Sequence, residues 1–388
     1  MSRATTIAAW FFLAVLTACS SGGGGEGDDG SAPEPEAEIL DGPVDARPED
    51  APPADAPDAE ADIPADAPAD APDDEAVAPD EDGPPPDGIV LGLSTRGFTF
   101  NGAETFLLAV SYYGGCAASP ETVVSDLGRL AGLGFNNLRV WVAWTSPSLD
   151  ASVVRNDGSL DGGALSRLTH LVETAQDDGM TVDVTFSYGM EGSSDGGFDA
   201  YRTAMSSLAT ELLPYRNLFF DLGNERDVGD SRYLSAEEVR DLAVAVRAVD
   251  PGRLVTASLG GNPPDAAASK YIELYTVAHI DFATPHFERD DGWAAATAGR
   301  FTTMQTLLVE AGWDRPIYLQ EEARRGYGGA EWPKSDFLTA VAGAAAAGAA
   351  GWCFHTDAGF DLGSSTFFDN LDEVELDTID ELAAAAGM

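Results

Sequence analysis

Leu218-Phe219-Phe220-Asp221-Leu222-Gly223-Asn224-Glu225 is an apolar run that stops on Gly-Asn-Glu, and Ser235-Ala236-Glu237-Glu238 follows ten residues after it. A short run of this kind reads as a strand covered on both faces. The Ser-x-x-Glu is a capping box, and it opens a helix with Val239, Leu242, Val246 and Val249 on one face. A buried parallel strand that hands over to an amphipathic helix is one β/α unit. The same texture continues on either side. Further runs lie at Thr105–Ser111, Asn137–Trp144, Thr181–Ser187, Arg253–Leu259, Ile280–Pro285, Pro316–Gln320 and Gly351–His355. Val123, Leu127 and Leu130 mark one more helical face, and Leu165, Leu168 and Val172 another. Eight runs alternating with helical segments over residues 89–388 predict an α/β domain, a single (β/α)8 barrel. The competing doubly wound sheet would want a Gly-rich phosphate loop after an early strand, and Tyr112-Tyr113-Gly114-Gly115-Cys116 is not one.

The rest of the chain has a different composition. The 388 residues carry 66 acidic and 21 basic side chains, a formal charge of −45. Between Ser20 and Gly88 there are 23 acids, one base (Arg47), 14 of the 23 prolines and no aromatic residue. Proline opposes helix, like charges repel and nothing is available to bury, so residues 19–88 are expected to form a disordered acidic tether. In polyproline form its reach is on the order of 200 Å, at about 3.1 Å per residue. The 300 residues from Ile89 onward are enough to bury roughly 75% of their unfolded surface without disulfides or metal. The acidity excludes the basic patch that nucleic acid requires. At the start, Arg3 precedes an apolar run from Ile7 to Leu16, which is of signal-peptide length and too short for a comfortable membrane span. Its end, Leu16-Thr17-Ala18-Cys19, resembles the lipobox of bacterial lipoproteins. That resemblance implies a signal peptide over residues 1–18, lipid on Cys19 and a place in the bacterial cell envelope, at the outer membrane or cell surface. The alternative is an ordinary secretory signal in which Cys19 is incidental.

In a (β/α)8 barrel the working residues stand at the C-terminal ends of the strands. Those ends carry Arg139 and Trp141, then Asn224-Glu225, His286, Glu321-Glu322, and finally Trp352 and His355. Two carboxylates facing each other among tryptophans are the equipment of glycoside hydrolysis, in which one protonates the leaving oxygen and the other attacks the anomeric carbon. Indole faces suit the C–H faces of sugar rings. Asp221-Leu222-Gly223-Asn224-Glu225, Pro316-Ile317-Tyr318-Leu319-Gln320-Glu321 and Gly134-Phe135-Asn136-Asn137-Leu138-Arg139-Val140-Trp141 together resemble strands 4, 7 and 2 of clan A glycoside hydrolases, which include the cellulase and β-mannanase-like family 5. The resemblance implies a retaining enzyme on β-linked glycans with Glu225 as acid/base and Glu321 as nucleophile. It also implies that Asn224 binds the hydroxyl beside the reacting carbon, Arg139 holds Glu321 ionised, His286 contacts the acid/base and Trp352 floors the sugar subsite. Arginine beside Glu321 should lower its pKa, and burial with a second carboxylate should raise that of Glu225. A retaining pair stands about 5–5.5 Å apart. No metal or organic cofactor is implied, and the partners are a β-linked poly- or oligosaccharide and, through Cys19, a membrane; the protein is expected to be a monomer.

Two places depart from the family pattern. Thr185-Phe186-Ser187-Tyr188 lacks the histidine found near the end of strand 3 in many members, and His286-Phe287-Glu288 lacks a following tyrosine, which leaves Tyr188 to donate to the nucleophile. Other readings stay open. Glu322 competes with Glu321, because strand side chains alternate. Trp141 and Trp352 also read as core fillers, His286 as a core histidine, and Trp293 and Trp332 as loop aromatics for subsites. Cys116 and Cys353 lie on neighbouring strands and are candidates for a bridge. Four scattered histidines give no zinc spacing. Outside hydrolysis, the same barrel serves as a glycan-binding scaffold, and the same residues serve a transglycosidase.

Overall fold

A computed structural model describes residues 88–146, 149–188 and 196–388. The signal peptide, Cys19 and the tether expected over residues 1–87 lie outside the described residues. Eight parallel strands form the centre. They are β1 (Leu107–Ser111), β2 (Asn137–Trp141), β3 (Thr181–Thr185), β4 (Leu218–Asp221), β5 (Val255–Thr256), β6 (Pro285–Phe287), β7 (Tyr318–Leu319) and β8 (Gly351–Phe354). Seven of them pair side by side in the order β5-β4-β3-β2-β1-β8-β7. The ring closes through β6, which pairs with Leu259–Asn262 just past β5 on one side, while Ala283 bridges Ile317 beside β7 on the other. The ladder breaks after β5 because the Ser258 N–H donates to the Asp221 carboxylate (3.1 Å) instead of to a neighbouring strand. The barrel expected from the alternation of runs and helices is the observed fold.

The strands have two faces, and the sequence period of two separates them. Leu108, Val110, Leu138, Val140, Val182 and Val184 point outward. Over them pack the buried stripes of α1 (Pro120–Gly132), α2 (Gly162–Asp177), α3 (Gly197–Glu211), α4 (Ala236–Val249), α5 (Pro264–Val277), α6 (Trp293–Glu310) and α7 (Lys334–Ala347). The helix starts follow from their caps. Ser119 accepts from Thr122 N with Pro120 opening α1, and Ser235 and Glu238 form the reciprocal box at α4. The Ala/Gly-rich α7 ends at Gly348, whose φ of 89° is the left-handed cap that glycine adopts without strain.

The inner face has its own lower core of Leu107, Ala109, Phe219, Phe282, Tyr318 and Cys353. A three-stranded antiparallel sheet (Leu91–Leu93, Phe98–Phe100, Ala103–Thr105) closes that end. Its Phe98, wholly buried, meets Phe282 edge-on with ring centres 4.9 Å apart. Above this apolar floor the inward positions turn polar, and there the site is built. Cys116 and Cys353 are both free and buried, one in the outer core and one in the inner, so the bridge considered above does not form.

Candidate active site

Arg139 is the hub of the upper interior. It projects inward from β2, wholly buried, and a guanidinium there is tolerated only when its donors are matched. Nη1 donates to Tyr113 Oη (2.8 Å) and to Glu321 Oε2, Nη2 to Asn224 Oδ1 (2.6 Å), and Nε to Thr185 Oγ1 (3.2 Å). Asp183 and Asp221 stand 3.7 and 3.6 Å away and add negative charge beneath it.

Glu321 follows the end of β7. The chain leaves the ladder after Leu319, so strict alternation lapses and both Gln320 and Glu321 reach toward the centre. Tyr113 donates to Glu321 Oε2 (2.9 Å), and Arg289, from the loop after β6, donates to Oε1 (2.7 Å). Burial by itself pushes this carboxyl up, but the surrounding positive groups outweigh it and hold Glu321 well below the usual carboxylate range. Burial keeps His355 neutral, its own pKa falling well below that of a free imidazole, so the ionised state of Glu321 rests on His286 first and then on the two arginines. Glu322, the competing register, is buried apart from this network. Burial raises its carboxyl to about 7, and its Oε1 has no hydrogen-bond partner.

Glu225 sits opposite, past the end of β4, with φ of 49°. A non-glycine residue in the left-handed region is uncommon, and such strain gathers at functional sites. Here the backbone is held by Glu225 N–H donating to Ser258 Oγ (3.0 Å). The side chain fits because residue 260 is glycine: a Cβ there would stand 3.0 Å from Glu225 Cδ. Arg232 donates to Glu225 Oε2 (2.6 Å), and His286 Nδ1 lies 3.2 Å from Oε1. Burial and Glu321 push this carboxyl up, yet the His286 hydrogen bond and the charges of His286 and Arg289 prevail, and the net direction is down. The expected elevation of Glu225 is therefore corrected: sequence reading counted the second carboxylate and missed the cationic partners.

One oxygen of Glu225, one of Glu321 and a His286 nitrogen all lie within 4.8 Å of one another. The trio has the donor types of a divalent-metal site, but each carboxylate is already engaged by guanidinium. Glu225 and Arg289, with Val228, Gly260, Phe287 and Tyr327, line a cleft of about 390 Å3. Tyr113, Trp141, Trp144 and Phe360 form an aromatic wall close by, with Tyr113 and Phe360 stacked at 4.8 Å and Trp141 4.9 Å from Tyr113.

Asn224, Arg139 and His286 thus meet the two glutamates at one centre, and Trp141 borders it. Two expected residues do not take the places foreseen for them. Trp352 has no exposed surface and stacks on Phe354 in the outer core, because strand parity turns it outward and gives the inward positions to Cys353 and His355. It floors no subsite. Tyr188 lies edge-on to Tyr201 (5.1 Å), and the phenol that donates to Glu321 is Tyr113. Trp293 is likewise buried at the start of α6 rather than exposed in a loop. Sequence reading passed over Tyr113, Arg232, Arg289, Gln320 and Asp183. Gln320 lay inside a quoted motif, Asp183 inside a strand-length run and Tyr113 inside a stretch weighed only as a phosphate loop, while loop residues such as Arg289 carry no periodic signal.

No protein-family model matches the sequence, and no curated protein does. Solved structures do match in shape. An endo-1,4-beta-mannanase from Rhizomucor miehei superposes with a TM-score of 0.57 at 13% identity, over 76% of this chain and 99% of that one. A glycoside hydrolase family 5 protein from Bacteroides vulgatus gives 0.57 at 15% identity, over 76% and 70%. The beta-mannanase of the blue mussel Mytilus edulis gives 0.52 at 17% identity, over 76% and 97%. The fold is accordingly a (β/α)8 barrel of the same shape as the barrels of these glycoside hydrolases.

Proposed function

We propose that this protein is a retaining glycoside hydrolase of β-linked glycans, with Glu321 as nucleophile and Glu225 as acid/base. One observation carries the reading: carboxylates from β4 and β7 bring oxygens within 4.8 Å of each other in unequal surroundings, one gripped by buried Arg139, the other bonded to a histidine. So short a separation suits a covalent intermediate, whereas an inverting pair stands about 6.5–9.5 Å apart to admit a water. Glu321 forms a bond to the anomeric carbon as the glycosidic C–O bond breaks, and Glu225 gives its proton to the leaving oxygen. Glu225, now a carboxylate, takes a proton from the water that displaces Glu321. With its carbonyl engaged by Arg139, Asn224 offers its NH2 to the neighbouring sugar hydroxyl. The Trp141 indole N–H, without a partner among the described residues, offers a second donor at the aromatic wall.

Reducing-sugar release from β-mannan, β-glucan, xylan and β-galactan tests this, with Glu225→Ala and Glu321→Gln in parallel. Activity on one polymer that is lost in both variants and restored to Glu225→Ala by azide supports the roles. Activity that survives in Glu321→Gln overturns them. We also propose that Cys19 bears lipid and tethers the enzyme to the cell envelope, on the strength of Leu16-Thr17-Ala18-Cys19. Intact mass of the mature protein and its partition into detergent test that.

A further inference from the structure

Beneath Glu225 runs a chain of hydrogen bonds whose direction follows from the atoms. Asp183 Oδ2 and Asp221 Oδ2 lie 2.6 and 3.2 Å from Gln320 Nε2, and carboxylates accept, so this end of the amide is the NH2. Gln320 Oε1 therefore faces His286 Nε2, at 3.2 Å. A carbonyl oxygen also accepts, so Nε2 carries hydrogen, and in the neutral ring Nδ1 is left as a lone pair. That lone pair stands 3.2 Å from Glu225 Oε1. The contact is favourable only with one proton between them, carried by the ring opposite a Glu225 carboxylate, the direction in which His286 draws this carboxyl, or by the carboxyl opposite the neutral ring.

We infer that Gln320 is a positioning residue: its carbonyl, locked in place by Asp183 and Asp221, keeps hydrogen on Nε2 of His286, so that the contact between Nδ1 and Glu225 Oε1 stores one proton, which Glu225 delivers to the leaving oxygen. The role in turnover rests on the glycosidase reading; the hydrogen-bond chain does not. With the carbonyl removed or turned away, the neutral ring is free to carry its one hydrogen on Nδ1, opposite a Glu225 carboxylate, with Nε2 bare and no second proton in the pair to give. The two oxygens of Glu225 divide their work. Oε2 takes Arg232 from the loop after β4, and Oε1 takes the proton shared with His286 of β6. The other charged groups facing this pair are Glu321 after β7, whose Oε2 is 4.0 Å from His286 Nδ1, and Arg289 after β6. All of them are retained when Gln320 alone is changed.

The test uses the full chain with 15N-labelled histidine. Four histidines give four ring signals, and His286→Gln identifies the one of interest. In the neutral ring, Nε2 is expected to show the protonated type of shift and Nδ1 the unprotonated type. In Gln320→Met the pattern is expected to move toward hydrogen on Nδ1. Turnover gives the second readout. Gln320→Met should lose about tenfold in kcat on unactivated glycosides, with KM kept and the alkaline limb of the pH profile moved to lower pH. A dinitrophenyl glycoside, whose leaving group needs no acid, should react within about twofold of wild type. Hydrogen on Nδ1 alone in the wild-type neutral ring, or an unchanged tautomer in folded Gln320→Met, overturns the inference. Should that variant fail to fold, the wild-type tautomer decides. The expected tautomer in a protein that turns over no glycoside supports the hold of Gln320 on His286 and overturns the glycosidase reading instead.

Discussion

Phe219 and Asp221 are successive inward residues of β4, Tyr318 and Gln320 follow each other inward along β7, and Cys353 and His355 do the same along β8. The first of each pair belongs to an apolar floor, the second to a charged ceiling. Both layers are buried. They differ in what holds them: the floor relies on area removed from water, which is non-directional and tolerant of exchange, and the ceiling relies on donors and acceptors matched atom by atom around Arg139. The barrel thus separates stability from chemistry by a single inward step on each strand, and substitutions in the two layers should fail in different ways.

The largest effect is expected in the ceiling. Glu321→Gln should cut kcat by about 10^4-fold or more in initial-rate assays, with no comparable fall in thermal midpoint. In the floor, Phe98→Ala should cost about 3–5 kcal/mol in urea denaturation while kcat per folded molecule stays within about twofold. A third change sets neighbours on β7 against each other. Glu322 is raised to about 7 by burial, above its unfolded value, so the stability present below about pH 4.5 is lost as pH rises through about 7. Glu322→Gln should therefore match wild type at pH 4, exceed it by up to about 3 kcal/mol at pH 8 in denaturant titrations, and keep activity. Gly260→Ala should push on the Glu225 side chain and lower kcat roughly tenfold without a large loss of stability. The smallest effect is expected from Arg232→Gln. Loss of that charge raises the Glu225 carboxyl and shifts the alkaline limb of the activity profile upward by about half a pH unit.

The barrel was legible because its evidence is periodic: apolar runs of strand length recur eight times, and stripes such as Val239, Leu242 and Val246 recur between them. The centre was legible where a strand end carries an unusual polar residue, as at Asn224-Glu225. Parity marked the boundary of legibility. Trp352 looked like a subsite residue by type, but only the register of β8 against β1, which pairs Trp352 with Leu108, tells which way it faces. Glu321 and Glu322 could not be separated by alternation, since the strand ends before them. Tyr113, in a short 3-10 turn after β1, and Arg289, in a loop, reach Glu321 across 208 and 32 residues of sequence, and no local pattern encodes such a meeting.

The left-handed backbone at Glu225 carries a consequence for descent. In the role proposed for Glu225, glycine would relax that position and abolish the chemistry in one step, so at residue 225 selection for a sturdier fold and selection for turnover would pull in opposite directions. On that proposal, a lineage released from selection for turnover would meet no structural resistance to losing this glutamate first, and its descendants should be the more stable proteins.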